Sequence, residues 1–127
     1  MKSTESHLTP TEWSLMECLW EHSPRTGKEA VNYMAQSLGW SRSTTLTMLR
    51  RMTEKGYIIC QTADGINTYS PLLAKEAVTQ EQTREFLDRV YKGSISMLLS
   101  AFTQKQSLSQ AEINQLHAIL EEAQNHE

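Results

Sequence analysis

W-S-R-S-T-T-L-T-M-L-R-R-M-T-E-K-G-Y, residues 40–57, is the stretch whose reading decides the fold. Taken as a helix it has two unlike faces. Thr45, Met48, Leu49 and Met52 fall at i, i+3, i+4 and i+7, the spacing that lays side chains along one stripe. Ser43, Thr47 and Arg50 fall on the opposite side, flanked by Thr44 and Arg51. Ser41 is an N-cap residue type and Gly56 suits the position just past the C-terminus, so both ends are marked. An outward face of short hydroxyls and arginines can bond phosphate oxygens, and arginine can also bond guanine edges in a major groove. The stretch reads as a DNA recognition helix; the plainer alternative is a solvated helix with a few basic residues.

Two more signals precede it. Thr9-Pro10-Thr11-Glu12 is a helix start, with a Thr cap, Pro at the first helical position and Glu three residues after the cap. Trp13, Met16, Leu19 and Trp20, with Leu15 and Cys18 beside them, give this helix a buried face that must end before Pro24. Thr26-Gly27-Lys28-Glu29 repeats the capping pattern and opens a helix whose apolar side is Ala30, Val31, Met34, Ala35 and Leu38. Only Gly39 and Trp40 then separate it from the Ser41 cap, and helices joined by so short a turn cross steeply, as in a helix-turn-helix.

Beyond Gly56 the pattern turns extended. Residues 57–62 are rich in strand formers, Ala63-Asp64-Gly65 is a turn signal, and residues 66–70 return as a second strand closed by Pro71. A hairpin directly after a recognition helix is a wing. Its polar tip around Asp64 and Asn67 can meet the sugar–phosphate backbone, whereas Ile58 and Ile59 suit a hairpin that covers the core. The expected fold class is mainly α with a small β-hairpin: a winged helix-turn-helix in residues 1–73, then a helical dimerisation domain in residues 74–127.

In that second part a helix over residues 75–91 starts polar and becomes apolar at Phe86, Leu87, Val90 and Tyr91. Gly93-Ser94 breaks and recaps it, and Ile95, Met97, Leu98, Leu99, Ala101 and Phe102 form a short apolar helix before a polar loop at residues 103–107. Ser109-Gln110-Ala111-Glu112 caps a last helix, with Ile113, Leu116, Leu120 and Ala123 at heptad-like spacing beside Ile119. So short a segment cannot bury this much apolar surface alone. A second copy can, and the expected interface is Tyr91, Ile95, Leu98, Leu99, Phe102, Ile113, Leu116 and Leu120. The alternative is that these helices fold back on the winged part of their own chain.

Charge narrows the function classes. The 127 residues carry 12 Lys and Arg against 15 Asp and Glu, a net charge of −3. Residues 1–73 are balanced at seven and seven, and residues 74–127 hold five against eight. Within residues 41–55, Arg42, Arg50, Arg51 and Lys55 face Glu54 alone. A local basic element on an acidic chain suits site-specific duplex binding better than nonspecific coating of a polyanion. No apolar run approaches the ~18 residues of a membrane span, and the N-terminal M-K-S-T-E-S-H-L-T-P lacks a signal-peptide core, so the expected location is cytoplasmic with no membrane insertion. Cys18 and Cys60 lack C-x-x-C spacing and are expected as free thiols.

An enzyme reading finds no support. His7, His22, His117 and His126 join no triad pattern, and neither a Gly-rich phosphate loop nor H-E-x-x-H is present. His7 and His126 are expected at frayed ends, and His117 at a surface or interface. No cofactor or metal is expected. A winged helix can also serve as a protein-interaction module without sequence-specific DNA binding; the basic, hydroxyl-bearing face of residues 41–55 favours DNA over that alternative.

With these residues in hand, the chain resembles the BlaI/MecI/CopY group of bacterial winged-helix repressors from Leu8 to Ala123. L-T-P-T-E-W-S-L-M-E-C-L-W (residues 8–20), W-S-R-S-T-T-L-T-M-L-R-R-M-T-E-K-G-Y-I (residues 40–58), V-Y-K-G-S (residues 90–94) and L-S-Q-A-E-I (residues 108–113) carry the likeness. It implies a homodimeric repressor of an antibiotic-resistance or metal- or stress-response gene, bound to a palindromic operator in double-stranded DNA and released by an inducing signal. The expected DNA-binding residues are Thr26, Ser41, Arg42, Ser43, Thr44, Thr47, Arg50, Arg51, Lys55 and Asn67, with Arg50 and Lys55 on phosphates. The copper-responsive branch of the group has a C-terminal C-x-C-x4-C-x-C motif, and this chain has no cysteine after Cys60. The β-lactam branch implies a sensor-linked protease as partner and cleavage at the bond matching Ala101–Phe102. Better-known members have Asn before that Phe, and Pro-Lys where this chain has Arg42-Ser43.

Overall fold

The computed structural model describes residues 8–125; His7 and His126, expected at frayed ends, lie outside them. Two compact units divide at Thr83 and Arg84. The first begins with α1 (Pro10–Glu21), and both of its expected capping bonds form. The Thr9 hydroxyl accepts from the Glu12 N–H at 3.1 Å, and Glu12 Oε1 accepts from the Thr9 N–H at 3.0 Å. A two-residue strand, β1 (Arg25–Thr26), leads into α2 (Gly27–Leu38). Thr26 and Glu29 make the same reciprocal pair at 3.1 and 2.8 Å.

α2 stops at Gly39, whose φ of 70° is one that side-chain-bearing residues rarely adopt. The Gly39 N–H returns to the Ala35 carbonyl at 3.0 Å and the Trp40 N–H to the Met34 carbonyl at 3.2 Å. These bonds close a Schellman-type turn, and Ser41 immediately caps α3 (Arg42–Glu54). The helix-turn-helix is therefore continuous, with a turn too short to let α3 run alongside α2.

The core gathers Leu15, Met16, Cys18 and Leu19 of α1, Ala30 and Met34 of α2, Leu49 and Met52 of α3, and Ile58. Thr45 is buried with the same stripe of α3. Two residues assigned to the apolar side of α2, Ala35 and Leu38, are instead exposed, Leu38 by 54%. They sit in the last turn of α2.

The wing consists of β2 (Ile58–Ala63) and β3 (Ile66–Pro71), paired antiparallel from Ile58 with Pro71 to Ala63 with Ile66. A two-residue turn joins them, with Asp64 and Gly65 at φ 56° and 75°, the sign demanded by the turns that match strand twist. Ile58 is buried while Ile59 points out at 37% exposure, so only the first of the two isoleucines covers the core. The sequence reading missed β1. It pairs Arg25 with Tyr69 and Thr26 with Thr68, making a three-stranded sheet of order β1-β3-β2. Two residues carry no strand periodicity, and only β3's position creates the pairing. Together these elements form a winged helix-turn-helix.

α4 (Lys75–Tyr91) crosses from the first unit into the second. Val78 is 2% exposed, and Gln82 donates to the Leu8 carbonyl at 3.3 Å, so the opening turns of α4 belong with the winged part. In the second unit Gly93 breaks the chain at φ 84°, Ser94 caps α5 (Ile95–Lys105), and Ser109 with Glu112 caps α6 (Gln110–Asn125). The polar loop expected at residues 103–107 is shorter, because α5 continues to Lys105. There Thr103 turns its hydroxyl back to the Leu99 carbonyl at 2.9 Å, which satisfies it within the helix.

Thr45 offers a test of the core. Its hydroxyl is buried and finds no hydrogen-bond partner among the described residues. Valine has the same shape without the polar atom, so Thr45→Val is expected to raise folding stability by about 1 kcal/mol, measured as an upward shift of the urea midpoint at unchanged slope.

Candidate DNA-reading face

The hydroxyls at the start of α3 are arranged around its cap. Ser41 Oγ accepts from the Thr44 N–H at 3.1 Å, donates to Thr44 Oγ1 at 2.9 Å and lies 3.3 Å from Ser43 Oγ. Ser41, Arg42, Ser43 and Thr44 are all exposed. No acidic residue occupies this first turn, so the partial positive charge of the helix N-terminus is uncompensated there. Further along, Arg50 and Arg51 are exposed and Thr47 is half-buried. The burial of Thr45, Leu49 and Met52 turns Ser43, Thr47 and Arg50 to the opposite side, with Thr44 and Arg51 at its margins. Glu54 follows on the same outward side and is the acid the arginines must outweigh.

Thr26 lies outside α3, at the start of α2, half-buried and engaged in its capping box. Its hydroxyl accepts from the Glu29 N–H and retains its own proton to donate. Asn67 is exposed near the wing tip and opposite Thr62, and its carbonyl oxygen accepts from the Thr62 hydroxyl at 2.6 Å. That bond ties the side chain across the hairpin.

Lys55 is differently placed from the other expected contacts. Its ammonium is bound to Glu12 Oε2 in α1 and lies 5.6 Å from the Tyr57 ring centroid. Burial pushes the Glu12 carboxyl up. The Lys55 ammonium and the hydrogen bonds from Thr9 outweigh that effect and hold the carboxyl below its ordinary 4.5. The hydrogen bond to Glu12 raises Lys55 in turn. Sequence reasoning saw Glu12 only as a capping residue, because nothing in a 43-residue separation announces a pair.

Arg25, also not singled out, donates through Nε to the Cys18 carbonyl at 3.0 Å and stacks 4.7 Å from the Tyr33 centroid. Its contacts join α1 to α2 and leave it no evident part in the α3 face. Burial pushes the Cys18 thiol up to about 11, so it is held as a neutral core group.

In the second unit, Tyr91, Leu98, Leu99, Ile113 and Leu116 are half-buried, whereas Ile95, Phe102 and Leu120 are exposed by 61%, 46% and 61%. Leu98, Leu99, Phe102, Leu108, Leu116 and Ile119 line an open apolar groove of about 370 Å³. Ala101 and Phe102 lie inside α5, with both side chains exposed. No helix is long and apolar enough to cross a membrane among the described residues.

Residues 8–122 match the family described as penicillinase repressor. The chain is 29% identical over 118 residues to a penicillinase repressor of Bacillus licheniformis, covering 93% of this chain and 92% of that one. It is 27% identical over 120 residues to the methicillin resistance regulatory protein MecI of Staphylococcus aureus, covering 94% and 98%. Among solved structures it is similar to the monomeric form of Bacillus licheniformis BlaI in complex with the blaP half-operator. That match has a TM-score of 0.52 and 25% identity over 60% of this chain and 92% of the other. A MarR family protein from Bacillus stearothermophilus, 20% identical, shares the fold at a TM-score of 0.52 over 95% of this chain and 76% of its own.

The Glu12–Lys55 pair has a pH signature. A carboxyl depressed below 4.5 in the folded state stabilises the fold fully above that pH, and the contribution disappears as pH falls through the folded value. Glu12→Gln is therefore expected to be less stable than the unaltered chain at pH 7 by on the order of 1 kcal/mol, the half-exposed ammonium limiting the effect. Denaturant midpoints of the two proteins should converge as pH falls from 4.5 through the depressed folded value; a gap that stays constant through acid would remove the pair from the stability of the fold.

Proposed function

The chain belongs to the penicillinase repressor family, and from that premise we propose that it is a homodimeric transcriptional repressor that holds a palindromic operator in duplex DNA. The observation that carries the DNA reading is the outward side of α3. Its exposed hydroxyls crowd an acid-free N-terminus beside Arg42, the exposed Arg50 and Arg51 follow, and its opposite stripe is buried in the core. In this reading Ser43, Thr44 and Thr47 approach base edges from the N-terminal half of the helix, as helix-turn-helix recognition helices do. Arg42, Arg50 and Arg51 neutralise or bridge to phosphates and guanine edges. Thr26, Ser41 and the wing residue Asn67 add backbone contacts. The similar BlaI structure is bound to a half-operator, which supports DNA as the partner.

The dimer reading rests on the second unit. None of its described residues is buried, while Ile95, Met97, Phe102, Ile119 and Leu120 are each exposed by 46% or more. Apolar surface on this scale calls for a partner, and a second copy supplies one with the same composition while bringing a second α3 for the other half-site. The regulated gene in this reading confers antibiotic resistance or a metal or stress response. Release comes from an inducing signal, with a sensor-linked protease acting at Ala101–Phe102 as its proposed form. That bond lies within α5, so the helix must unwind locally before a protease can take it in extended form. Exposure of cells to inducer should then yield a fragment ending at residue 101; full-length chain persisting through derepression would point to release without cleavage.

The direct test is titration against the duplex upstream of the chain's own coding sequence, beside a scrambled duplex, at two salt concentrations. Preference for the operator by about a thousandfold or more, with two-fold symmetric protection, is the expected result. Equal weak binding to both duplexes would overturn it. Thr44→Ala and Arg51→Ala should each cost about 1–3 kcal/mol of operator binding with helix content intact. Arg50→Ala should weaken binding to every sequence and reduce the salt slope by about one.

Leu116→Asp is expected to yield monomers by sedimentation and to lose most operator affinity, because a lone half-site contact forfeits the bivalent gain. A dimer surviving that substitution would move the interface off this groove.

A further inference from the structure

Glu12 is a charged residue in an unusual place. It is 4% exposed, and each carboxylate oxygen is committed: Oε1 accepts from the Thr9 N–H at 3.0 Å, and Oε2 holds the Lys55 ammonium. Thr9 caps α1, whereas Lys55 is the C-cap residue of α3. A carboxylate buried to this degree persists as an anion only when paired, so the end of α3 is held wherever Glu12 is held. The other end of α3 is secured differently, by the closed turn at Gly39 and the Ser41 cap. The helix thus has a pivot at its start and a tie at its end. Backbone bonds follow the tie, from the Tyr57 N–H to the Met52 carbonyl at 3.0 Å and from the Leu72 N–H to the Tyr57 carbonyl at 2.9 Å. They carry the same constraint onward into the wing.

We propose that Glu12 and Lys55 are positioning residues for operator recognition: a strut between a buried carboxylate and a half-exposed ammonium that sets the angle of α3 against α1, with Lys55 serving DNA through the placement of α3 rather than as a phosphate ligand. The inference deepens the repressor reading and rests on it. Reading base edges requires the hydroxyls of α3 to arrive together and in register, so a small tilt about the Gly39 pivot costs specific contacts while leaving the arginines near phosphates.

The two roles open to Lys55 predict opposite results. Glu12→Gln, Lys55→Met and the double variant are titrated against the duplex upstream of the chain's own coding sequence and against scrambled duplex over a salt series. Circular dichroism at the assay temperature checks folding. As a strut, each single substitution lowers operator affinity about tenfold, leaves scrambled binding no weaker and preserves the salt slope, and the double variant is no worse than either single one. As a phosphate ligand, Lys55→Met weakens both duplexes and reduces the salt slope by about one. Glu12→Gln, which frees the ammonium, then leaves operator affinity at or above that of the unaltered chain, and that pattern overturns the inference. Should Glu12→Gln fail to fold, the salt slope of folded Lys55→Met alone separates the two roles. An unaltered chain that does not prefer the operator overturns the repressor reading and this inference together, a result distinct from either pattern.

Discussion

The closed turn at Gly39 governs the first unit. With two backbone bonds spent on ending α2 and Ser41 capping α3 at once, α3 has no length of chain with which to choose its direction. It must cross α2 steeply and press one stripe into the core. Thr45, Leu49 and Met52 meet that demand, and the geometry of a helix then dictates that Ser43, Thr47 and Arg50 look outward. The exposed face follows from the buried one. The wing inherits its place in the same way, since β2 begins just past Gly56 and Ile58 is drawn into the core beside α3.

Electrostatics on this chain are local. A net charge of −3 would oppose DNA if it were evenly spread. Instead most of the acids of α1 and α2 are engaged locally: Glu12 and Glu29 in capping boxes, Glu12 also on Lys55, and Glu21 near Arg25 at 3.7 Å, with Glu17 exposed on α1. α3 carries no acid until Glu54, and its N-terminal dipole adds to the arginines rather than opposing them.

The two units solve burial differently. In the first, three helices and a sheet enclose a core of fully buried side chains. In the second, α5 and α6 carry as many large apolar residues as a core needs yet bury none of them fully. Helices made this way are half of a packing problem, which is the physical ground for the dimer proposal. It also explains why a protease site placed on α5 would couple cutting to assembly.

Local physics was legible in the sequence. Capping boxes at Thr9, Thr26 and Ser109, the Gly39 turn, the two-faced helix at residues 42–54 and the Asp64-Gly65 hairpin all rest on residues at most a few positions apart, whose preferences need no distant partner. These determined the winged helix and the outward side of α3. Ala35 and Leu38 misled because periodicity marks a stripe without saying how far a neighbour extends to cover it. What only the tertiary structure decided depends on long-range coincidence: β1 exists because β3 lies beside it, Arg25 stacks on Tyr33 because α1 and α2 converge, and Lys55 meets Glu12 across 43 residues. The sequence showed Lys55 only as a cation at the end of α3; the packing of α3 against α1 decided that its charge meets Glu12.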